Sequence, residues 1–264
     1  MIVKINHSSN MCRSNTMIQE RTNNDYDKNL DRFHLERIAF YGRTLSEYLK
    51  MFGIEKVASL KKYKSILDCP SGASSFVAEA ANKYGIKAVG CDPLFDNDVD
   101  TLAKQGRIDI EYVIQRVAHS PSLYKWDFYS SIDELRKYRK LSLRQFIANY
   151  PVGITGKKYY IKAELPKLPF DDKSFELVLS GHFLFTYSHK FDFAFILSSI
   201  LELIRVSSKE VRIYPLQKSS LQPYEHMRDL LYALEKRGIR YHYVPVSFEF
   251  QRGSNKMLCL APAN

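Results

Sequence analysis

The spacing of apolar positions along the chain predicts where its helices and strands lie. Between residues 25 and 64, large apolar side chains recur every three or four residues, which is typical of one or two amphipathic helices. The apolar run at 64–70 then predicts a buried strand, residues 73–85 predict a helix that ends at Gly85, and the run at 87–93 predicts a second strand. A strand, a turn, a helix and a strand form a unit whose strands are parallel and whose crossover is right-handed.

The rest of the chain alternates in the same way after one interruption. Residues from about 96 to 151 have helical patterns and no clear strand, which indicates a helical insertion. Beyond it the predicted elements are a strand at 157–165, a strand at 175–185, a helix at 191–206, a strand at 210–216, a helix at 219–238 and two strands within 241–262. Gly and Asn within 252–255 are typical of a hairpin turn between the last two. The predicted fold class is α/β, with a mostly parallel sheet and one antiparallel edge strand.

The composition is that of a folded soluble protein. The chain has 264 residues, 45% of them hydrophobic and 26% charged, which excludes a disordered, collagen-like or coiled-coil protein. Its four cysteines include no C-x-x-C pair, which argues against a disulfide framework and against a zinc site. No apolar run is long enough for a signal peptide or a membrane span, so we expect a cytoplasmic protein. The predicted organisation is a flexible tail at 1–24, an N-terminal helical lid at 25–64 and a core at 65–264 with the insertion at about 96–151.

Positive charge is concentrated in the insertion. Lys and Arg outnumber Asp and Glu by 39 to 29 over the whole chain, and by 12 to 5 between Lys104 and Lys162. Such an excess permits binding to nucleic acid, whereas a solvated basic helix face explains it without any partner. Nucleic-acid binding stays open and is not favoured, because the stretch carries no binding motif.

The turn after the first predicted strand is where an open α/β sheet places its ligand. Asp68 ends that strand, and Asp92 ends the second strand 24 residues later, near the offset at which an acidic residue reaches ribose hydroxyls. Alternatively, each of the two acids caps a helix or a turn. No phosphate-binding glycine motif fits the turn, so a nucleoside ligand without a phosphate chain suits it better. Its small residues let the backbone approach a ligand, and the helix behind them offers unpaired N–H groups to a carboxylate; they are Ser71, Gly72, Ala73 and Ser74.

These residues resemble the class I S-adenosylmethionine-dependent methyltransferases, and the C-terminal runs resemble an uncharacterised bacterial subset of them. Asp68, Pro70, Gly72 and Ser74 stand at the acid and glycine positions of the family's first motif, with Gly72 the one glycine kept. Asp92 stands at its ribose-binding acid. Residues 164–176 resemble its D-A-x-x-L-P-F-x-D-x-S-F-D stretch, which implies that Glu164 approaches the adenine amine and that the Leu165 N–H approaches a ring nitrogen.

The resemblance implies a Rossmann-like methyltransferase fold with a seven-stranded sheet, and S-adenosylmethionine as the cofactor. No metal is implied. The implied cofactor site consists of Tyr41, Arg43, Asp68, Pro70, Ser71, Gly72, Asp92, Pro93, Glu164, Leu165, Ser180 and Gly181.

His182 is the first candidate for a catalytic base, because it follows the fourth strand and a neutral imidazole accepts a proton near pH 7. Alternatively, it bonds a backbone group or stacks near the cofactor. Arg43 in the lid suits the cofactor carboxylate, with an exposed ion pair to Glu47 as the alternative. His119, Tyr187 and His189 are weaker candidates that suit surface or packing positions.

The sequence therefore predicts an enzyme that transfers a methyl group from S-adenosylmethionine to a small molecule. Two alternatives stay open. One is a cofactor-binding partner subunit without catalysis, and the other is an RNA or peptide methyltransferase that docks through the basic insertion.

Overall fold

Seven strands form one mixed sheet in the computed structural model, which describes residues 35–156 and 159–262. The predicted tail at 1–24 and residues 25–34 of the predicted lid lie outside the described residues. The strand order is β3-β2-β1-β4-β5-β7-β6, with β1 to β5 mutually parallel and β7 antiparallel to both its neighbours. The strands are β1 Ile66–Asp68, β2 Ala88–Asp92, β3 Tyr160–Lys162, β4 Phe175–Gly181, β5 Ser207–Tyr214, β6 Arg240–Pro245 and β7 Lys256–Ala261.

Six α-helices surround this sheet in the described part of the chain. They are α1 Leu45–Met51, α2 Phe76–Tyr84, α3 Val99–His119, α4 Ile132–Thr155, α5 Phe193–Arg205 and α6 Met227–Glu235. Three of these helices are capped at their N-terminus by a short polar side chain, which accepts a hydrogen bond from the backbone N–H three residues later. The capping residues are Asp98 before α3, Ser131 before α4 and Asp192 before α5. Helix α2 ends at Gly85 in the left-handed conformation, as predicted.

The sheet is buried on both faces, which explains why its central strands are short continuous apolar runs. Helices α5 and α6 pack with Leu67 and Val178 on one face. On the other face, Met51 and Phe52 at the end of α1 reach Gly181, while Tyr48 of α1 stacks on Phe76 of α2 at 4.7 Å between ring centres. Helix α1 therefore packs beside α2 close to the carboxyl ends of β1 and β4.

The predicted fold class is confirmed, and the main differences lie at element ends. The antiparallel strand is β7, second from the edge, with β6 outermost. The connection between β6 and β7 is the ten residues 246–255 rather than a tight turn, because Phe248 and Ser254 are drawn inward to the hydroxyl of Tyr214. Strand β4 ends at Gly181, four residues earlier than predicted, because His182 has a φ of +52° that breaks the extended run.

The segment before α1 is the largest departure from the predicted helical pattern. Residues 35–44 are not helical, since their backbone N–H groups bond to distant side chains instead: Ala39 N–H to the Tyr187 hydroxyl at 3.2 Å and Phe40 N–H to Asp109 at 2.6 Å. We call residues 35–44 the strap. Long-range partners of this kind leave no local signal in the sequence, so the apolar spacing alone predicted a longer helix.

Two long helices, α3 and α4, fill the stretch between β2 and β3 that was predicted as a helical insertion. They lie side by side, and Gly106 of α3 permits the close approach, because a Cβ there would stand 2.5 Å from Leu143 of α4. Among the described residues, none of the helices combines the length and the apolar character needed to cross a membrane.

Candidate functional site at the carboxyl edge of the sheet

Two buried carboxylates lie at the carboxyl ends of neighbouring parallel strands. Asp68 ends β1 and is fully buried, and Asp92 ends β2 and is 7% exposed. Asp68 pairs with Gly90 in the ladder between these strands, so the two acids lie at the same edge. Burial raises the pKa of Asp68, and the charge of Asp92 at the neighbouring strand end adds to that rise.

Asp68 is held by a tyrosine that the sequence did not single out. The Tyr48 hydroxyl of α1 donates to both oxygens of the Asp68 carboxyl group, at 3.0 and 2.9 Å. Burial raises the pKa of Asp68 to about 7, against the opposing effect of the Tyr48 hydrogen bond. Tyr48 shares a helix face with Leu45 and Phe52, so its spacing indicated packing alone.

Asp92 bonds the backbone of two turns. Its Oδ2 accepts the Gly72 N–H at 3.1 Å, and its Oδ1 accepts the Leu94 N–H at 3.0 Å. Burial raises the pKa of Asp92 to about 6, and these two bonds oppose that rise. Asp92 therefore caps turns, as the alternative interpretation of this acid predicted. Each of its carboxylate oxygens can still accept one further hydrogen bond.

The strap lies directly on the turn between β1 and α2. A Cβ at Gly42 would stand 1.9 Å from the Ala73 carbonyl oxygen, and one at Gly72, whose φ is +54°, would stand 2.7 Å from the Tyr41 oxygen. Behind the turn, the Ser75 N–H donates to the Arg43 carbonyl at 3.1 Å. At the start of α2, therefore, the Ser75 N–H donates to the strap and the Phe76 N–H donates to the Ser74 hydroxyl at 3.1 Å, while the prediction that later N–H groups of this helix face a carboxylate stays a prediction.

A buried ion pair fixes the strap and α1 to the insertion. Arg139 of α4 pairs with Glu47 of α1, and both side chains are at most 1% exposed. Arg139 also donates to the Tyr41 hydroxyl at 2.8 Å and to the Gly42 carbonyl at 2.9 Å. The alternative of an exposed ion pair between Arg43 and Glu47 is wrong, since Glu47 is buried and Arg139 is its partner. Glu47 and Arg139 are 92 positions apart in the chain, so no local sequence pattern indicated this pairing.

His182 lies at the end of β4 in a strained backbone conformation. Its φ of +52° is unusual for a residue with a side chain, and its N–H donates to the Tyr214 carbonyl at 2.6 Å. Burial, together with the charges of Arg43 and Arg139, lowers the pKa of His182 well below its ordinary value. The imidazole is therefore neutral at physiological pH and a weak base.

Several polar atoms at this edge are buried without a hydrogen-bond partner. Buried polar atoms are normally paired, so a cluster of unpaired ones is a feature of a polar ligand site. In the described part of the chain this edge contributes Arg43 Nε, Ser71 Oγ, Ser180 Oγ and His182 Nε2.

The remaining candidates occupy less enclosed or purely structural positions. The Glu164 side chain is exposed in the turn after β3, and Leu165 beside it is 8% exposed. Pro93 is exposed, and Pro70 and Gly181 are partly buried beside the two acids. Among the weaker candidates, His119 is exposed and bonds the Gln115 carbonyl, while Tyr187 and His189 bond the strap backbone at Ala39 and Leu35. Cys69 and Cys91 are buried, as predicted for small apolar positions.

Strand order decides the fold assignment. A seven-stranded sheet in the order 3-2-1-4-5-7-6, with an antiparallel seventh strand, is the arrangement of the class I methyltransferase fold. The chain has the class I methyltransferase fold.

Comparison of the sequence with known proteins yields an uncharacterised relative. No family model matches the chain. An uncharacterised protein of the archaeon Methanocaldococcus jannaschii is 29% identical over 231 residues, which cover 86% of this chain and 97% of that protein. The expected grouping with a bacterial subset stays a prediction.

Similar solved structures are S-adenosylmethionine-dependent methyltransferases. One from Aquifex aeolicus is 18% identical, covers 82% of this chain and 88% of its own, and has a TM-score of 0.38. One from Thermotoga maritima, described as a possible histamine N-methyltransferase, is 13% identical, covers 94% and 99%, and has a TM-score of 0.40. Because these TM-scores are low, the fold assignment rests on the strand order of the sheet and not on these structures.

Several basic side chains in and next to the insertion pair with acids. Among the Lys and Arg residues that the structure describes between 104 and 162, six have a carboxylate within ion-pair distance: Arg116, Lys125, Arg136, Arg139, Lys140 and Lys162. These six side chains are therefore held in ion pairs, whereas the net charge of the chain is unchanged by the pairing.

Proposed function

We propose that the protein is an S-adenosylmethionine-dependent methyltransferase that acts on a small molecule. The observation that carries this proposal is the pair of buried carboxylates, Asp68 and Asp92, at the ends of adjacent strands of a methyltransferase-type sheet. A buried carboxyl group with hydrogen-bonding capacity left over is suited to hydroxyl or ammonium groups of a ligand. The unpaired Ser71 and Ser180 hydroxyls nearby add donors of the kind that a nucleoside requires.

The residues fit the cofactor better at its ribose end than along the first turn. In the proposed site Asp92 binds the ribose, Glu164 and Leu165 border the adenine, and Asp68 lies toward the methionine part. Pro70, Ser71, Gly72, Pro93, Ser180 and Gly181 form the walls. Because Tyr41 and Gly42 of the strap cover Gly72 and Ala73, the strap must shift for the turn itself to contact a ligand.

S-adenosylmethionine supplies the activated methyl group, so the protein's part is to position the acceptor and keep water out. His182 is neutral and can accept a hydrogen bond or a proton at an imidazole nitrogen, but its lowered pKa makes it a weak base. We therefore expect an acceptor whose nucleophilic atom needs little help in losing a proton.

Calorimetric titration with S-adenosylhomocysteine tests the proposed cofactor site. We expect the wild-type chain to bind and Asp92→Ala to weaken binding about 10- to 100-fold, the range for losing a charge-assisted hydrogen bond. Asp92→Asn keeps one acceptor oxygen, enough for one of the Gly72 and Leu94 N–H groups, and serves where the alanine variant fails to fold. Asp171→Asn, an exposed acid on the loop before β4, is the matched control. Unchanged affinity in both Asp92 variants would contradict the proposal.

One alternative keeps support from a specific observation. A strap that covers the first turn is also compatible with a cofactor-binding subunit that lacks catalysis. Binding of the cofactor without methyl transfer to any of a panel of metabolites would favour this alternative. The RNA or peptide methyltransferase is less well supported, because six basic residues in and next to the insertion are paired with acids. Strong, salt-sensitive affinity for RNA would favour it.

A further inference from the structure

Strand β6 has one edge that pairs with none of the described strands. The Val246 N–H donates to the Asn255 carbonyl at 2.9 Å, so Val246 and every second residue before it face β7. The backbone N–H and C=O groups of Tyr241 and Tyr243 therefore point away from the sheet. Pro245, the next outward residue, has no N–H to donate. An open edge of this kind is a template on which another strand can pair.

A groove between β6 and α6 runs beside this open edge. Tyr232 of α6 is 60% exposed, more than any other large apolar side chain in the described part of the chain, and Tyr243 of β6 is 39% exposed. Both line the groove, together with Met227, Arg228, Leu231, Glu235 and Tyr241. Exposed aromatic surface that is continuous with an unpaired strand edge is a feature of protein–protein interfaces.

The two charged residues that line the groove are complementary to a second copy of themselves. Arg228 and Glu235 are exposed and lie seven residues apart on α6, which is two helical turns or about 10 Å. When a second α6 lies antiparallel to the first, Arg228 of each copy faces Glu235 of the other. Glu235 also accepts from the Tyr241 hydroxyl, and a carboxylate has capacity for a guanidinium besides.

Two lysines beside the groove oppose the association of two copies. Lys236 lies over the Tyr232 ring at 5.2 Å from its centre, and Lys256 lies over the Tyr243 ring at 4.9 Å. The formal net charge of the whole chain is +10, so two copies repel each other at long range. At 0.15 M salt, exposed charges more than about 8 Å apart are largely screened, whereas charges in contact are screened less. Association at this salt concentration therefore depends on the contacts themselves.

We propose that a second copy of this chain binds along β6 and α6 and forms a two-fold symmetric dimer. With the axis at His242, Tyr241 of each copy exchanges both of its backbone hydrogen bonds with Tyr243 of the other. This register uses every outward residue of β6 that can both donate and accept. The two α6 helices then lie antiparallel on one face of the joined sheet, where Arg228 and Glu235 pair across the axis. Such a contact uses the same surface on both copies, so assembly stops at two.

The proposed dimer goes beyond the proposed function and leaves both candidate sites open. Strands β5 and β6 run in the same direction, because each is antiparallel to β7. The carboxyl end of β6 therefore lies at the same edge of the sheet as Asp68 and Asp92. Antiparallel pairing of two β6 strands places the two candidate sites at opposite edges of the joined sheet. Loss of the dimer should thus leave the binding of S-adenosylhomocysteine unchanged.

Sedimentation velocity of the full chain in 0.15 M salt, over about 1–100 μM, tests the inference. We expect the wild-type chain to sediment as a dimer within this range. Arg228→Glu and Glu235→Arg should each raise the dimer dissociation constant at least tenfold. Because the first lowers the net charge and the second raises it, weakening by both cannot come from the overall charge. An equimolar mixture of the two variants should form mixed dimers, since the two acids of one chain then face the two arginines of the other.

Two further variants separate backbone pairing from side-chain contacts. Tyr243→Pro removes an N–H that faces away from β7, so it should abolish the dimer and leave the ladder to β7 intact. Tyr232→Ser should raise the dissociation constant several-fold, whereas Tyr84→Ser, which changes a tyrosine that is 41% exposed at the end of α2, is the matched control and should not. A melting temperature within a few degrees of wild type establishes that each variant is folded.

Three results would overturn the inference. They are a monomeric wild-type chain over the whole range, a dimer that neither charge variant weakens, and a mixture of the charge variants that does not associate. A monomeric chain would leave the groove to a different partner. A dimer with the expected response to these variants, in a chain that does not bind S-adenosylhomocysteine, would support this inference and contradict the proposed function.

Discussion

The ionisation of Asp68 is a property that solution measurements can check directly. Burial raises its pKa from 3.8 to about 7 in the folded chain. Between these values the folded state holds a proton that the unfolded state has released, so the free energy of unfolding decreases as pH rises. The stabilising contribution is complete below pH 3.8 and is lost once the pH passes about 7. Asp68→Asn replaces the carboxyl group by an amide of similar shape that cannot ionise.

The size of the effect follows from the two pKa values. For a single group that titrates at 3.8 unfolded and about 7 folded, the free energy of unfolding falls by about 2.5 kcal/mol between pH 5 and pH 8. The Asp68→Asn variant does not undergo this fall in the free energy of unfolding, because its amide does not ionise. The stability of the variant relative to wild type should therefore increase by about 2.5 kcal/mol over that range, because all other titrating groups are common to both chains.

Guanidinium denaturation followed by circular dichroism at pH 5, 6, 7 and 8 measures this difference. Asp171→Asn, which changes an exposed acid outside the site, is the control. The reasoning is refuted if the relative stability of Asp68→Asn is flat between pH 5 and 8, or if it decreases as pH rises.

Two further predictions concern the strap and its anchor. Arg139→Met leaves Glu47 buried without its cation and should destabilise the fold by about 3–5 kcal/mol in chemical denaturation, whereas adding Glu47→Leu to that variant should restore most of the loss. A restoration of less than 1 kcal/mol would mean that the pair matters for more than its charge. Gly42→Ala would place a Cβ 1.9 Å from the Ala73 carbonyl oxygen, so the strap must move, and hydrogen exchange at residues 39–44 should become faster. Protection equal to wild type would contradict this contact.

Most of the fold could be predicted because its signals are local. The run at 64–70, the helix that ends at Gly85 and the run at 87–93 each depend on apolar spacing and one terminator residue. Element ends were harder, because tertiary contacts decide them. Strand β4 stops at Gly181 where the backbone turns at His182, and the stretch between β6 and β7 is drawn inward by Tyr214.

The candidate site was predictable only where its residues follow strand ends. Asp68 and Asp92 could be picked out from their position after apolar runs and their separation of 24 residues. Tyr48 and the partners Glu47 and Arg139 could not, because their roles depend on contacts between segments far apart in the chain. The spacing of Tyr48 is that of an ordinary packed helix face, and a buried arginine has no sequence signature.

The pair formed by Glu47 and Arg139 has a consequence for how such chains diverge. It joins the two segments that the chain adds around its central sheet, the strap with α1 on one side and the long helical insertion on the other. A chimera that grafts the insertion of a relative onto this chain would leave Glu47 without its cation unless the graft brings its own. The two segments must therefore be exchanged together in such a chimera.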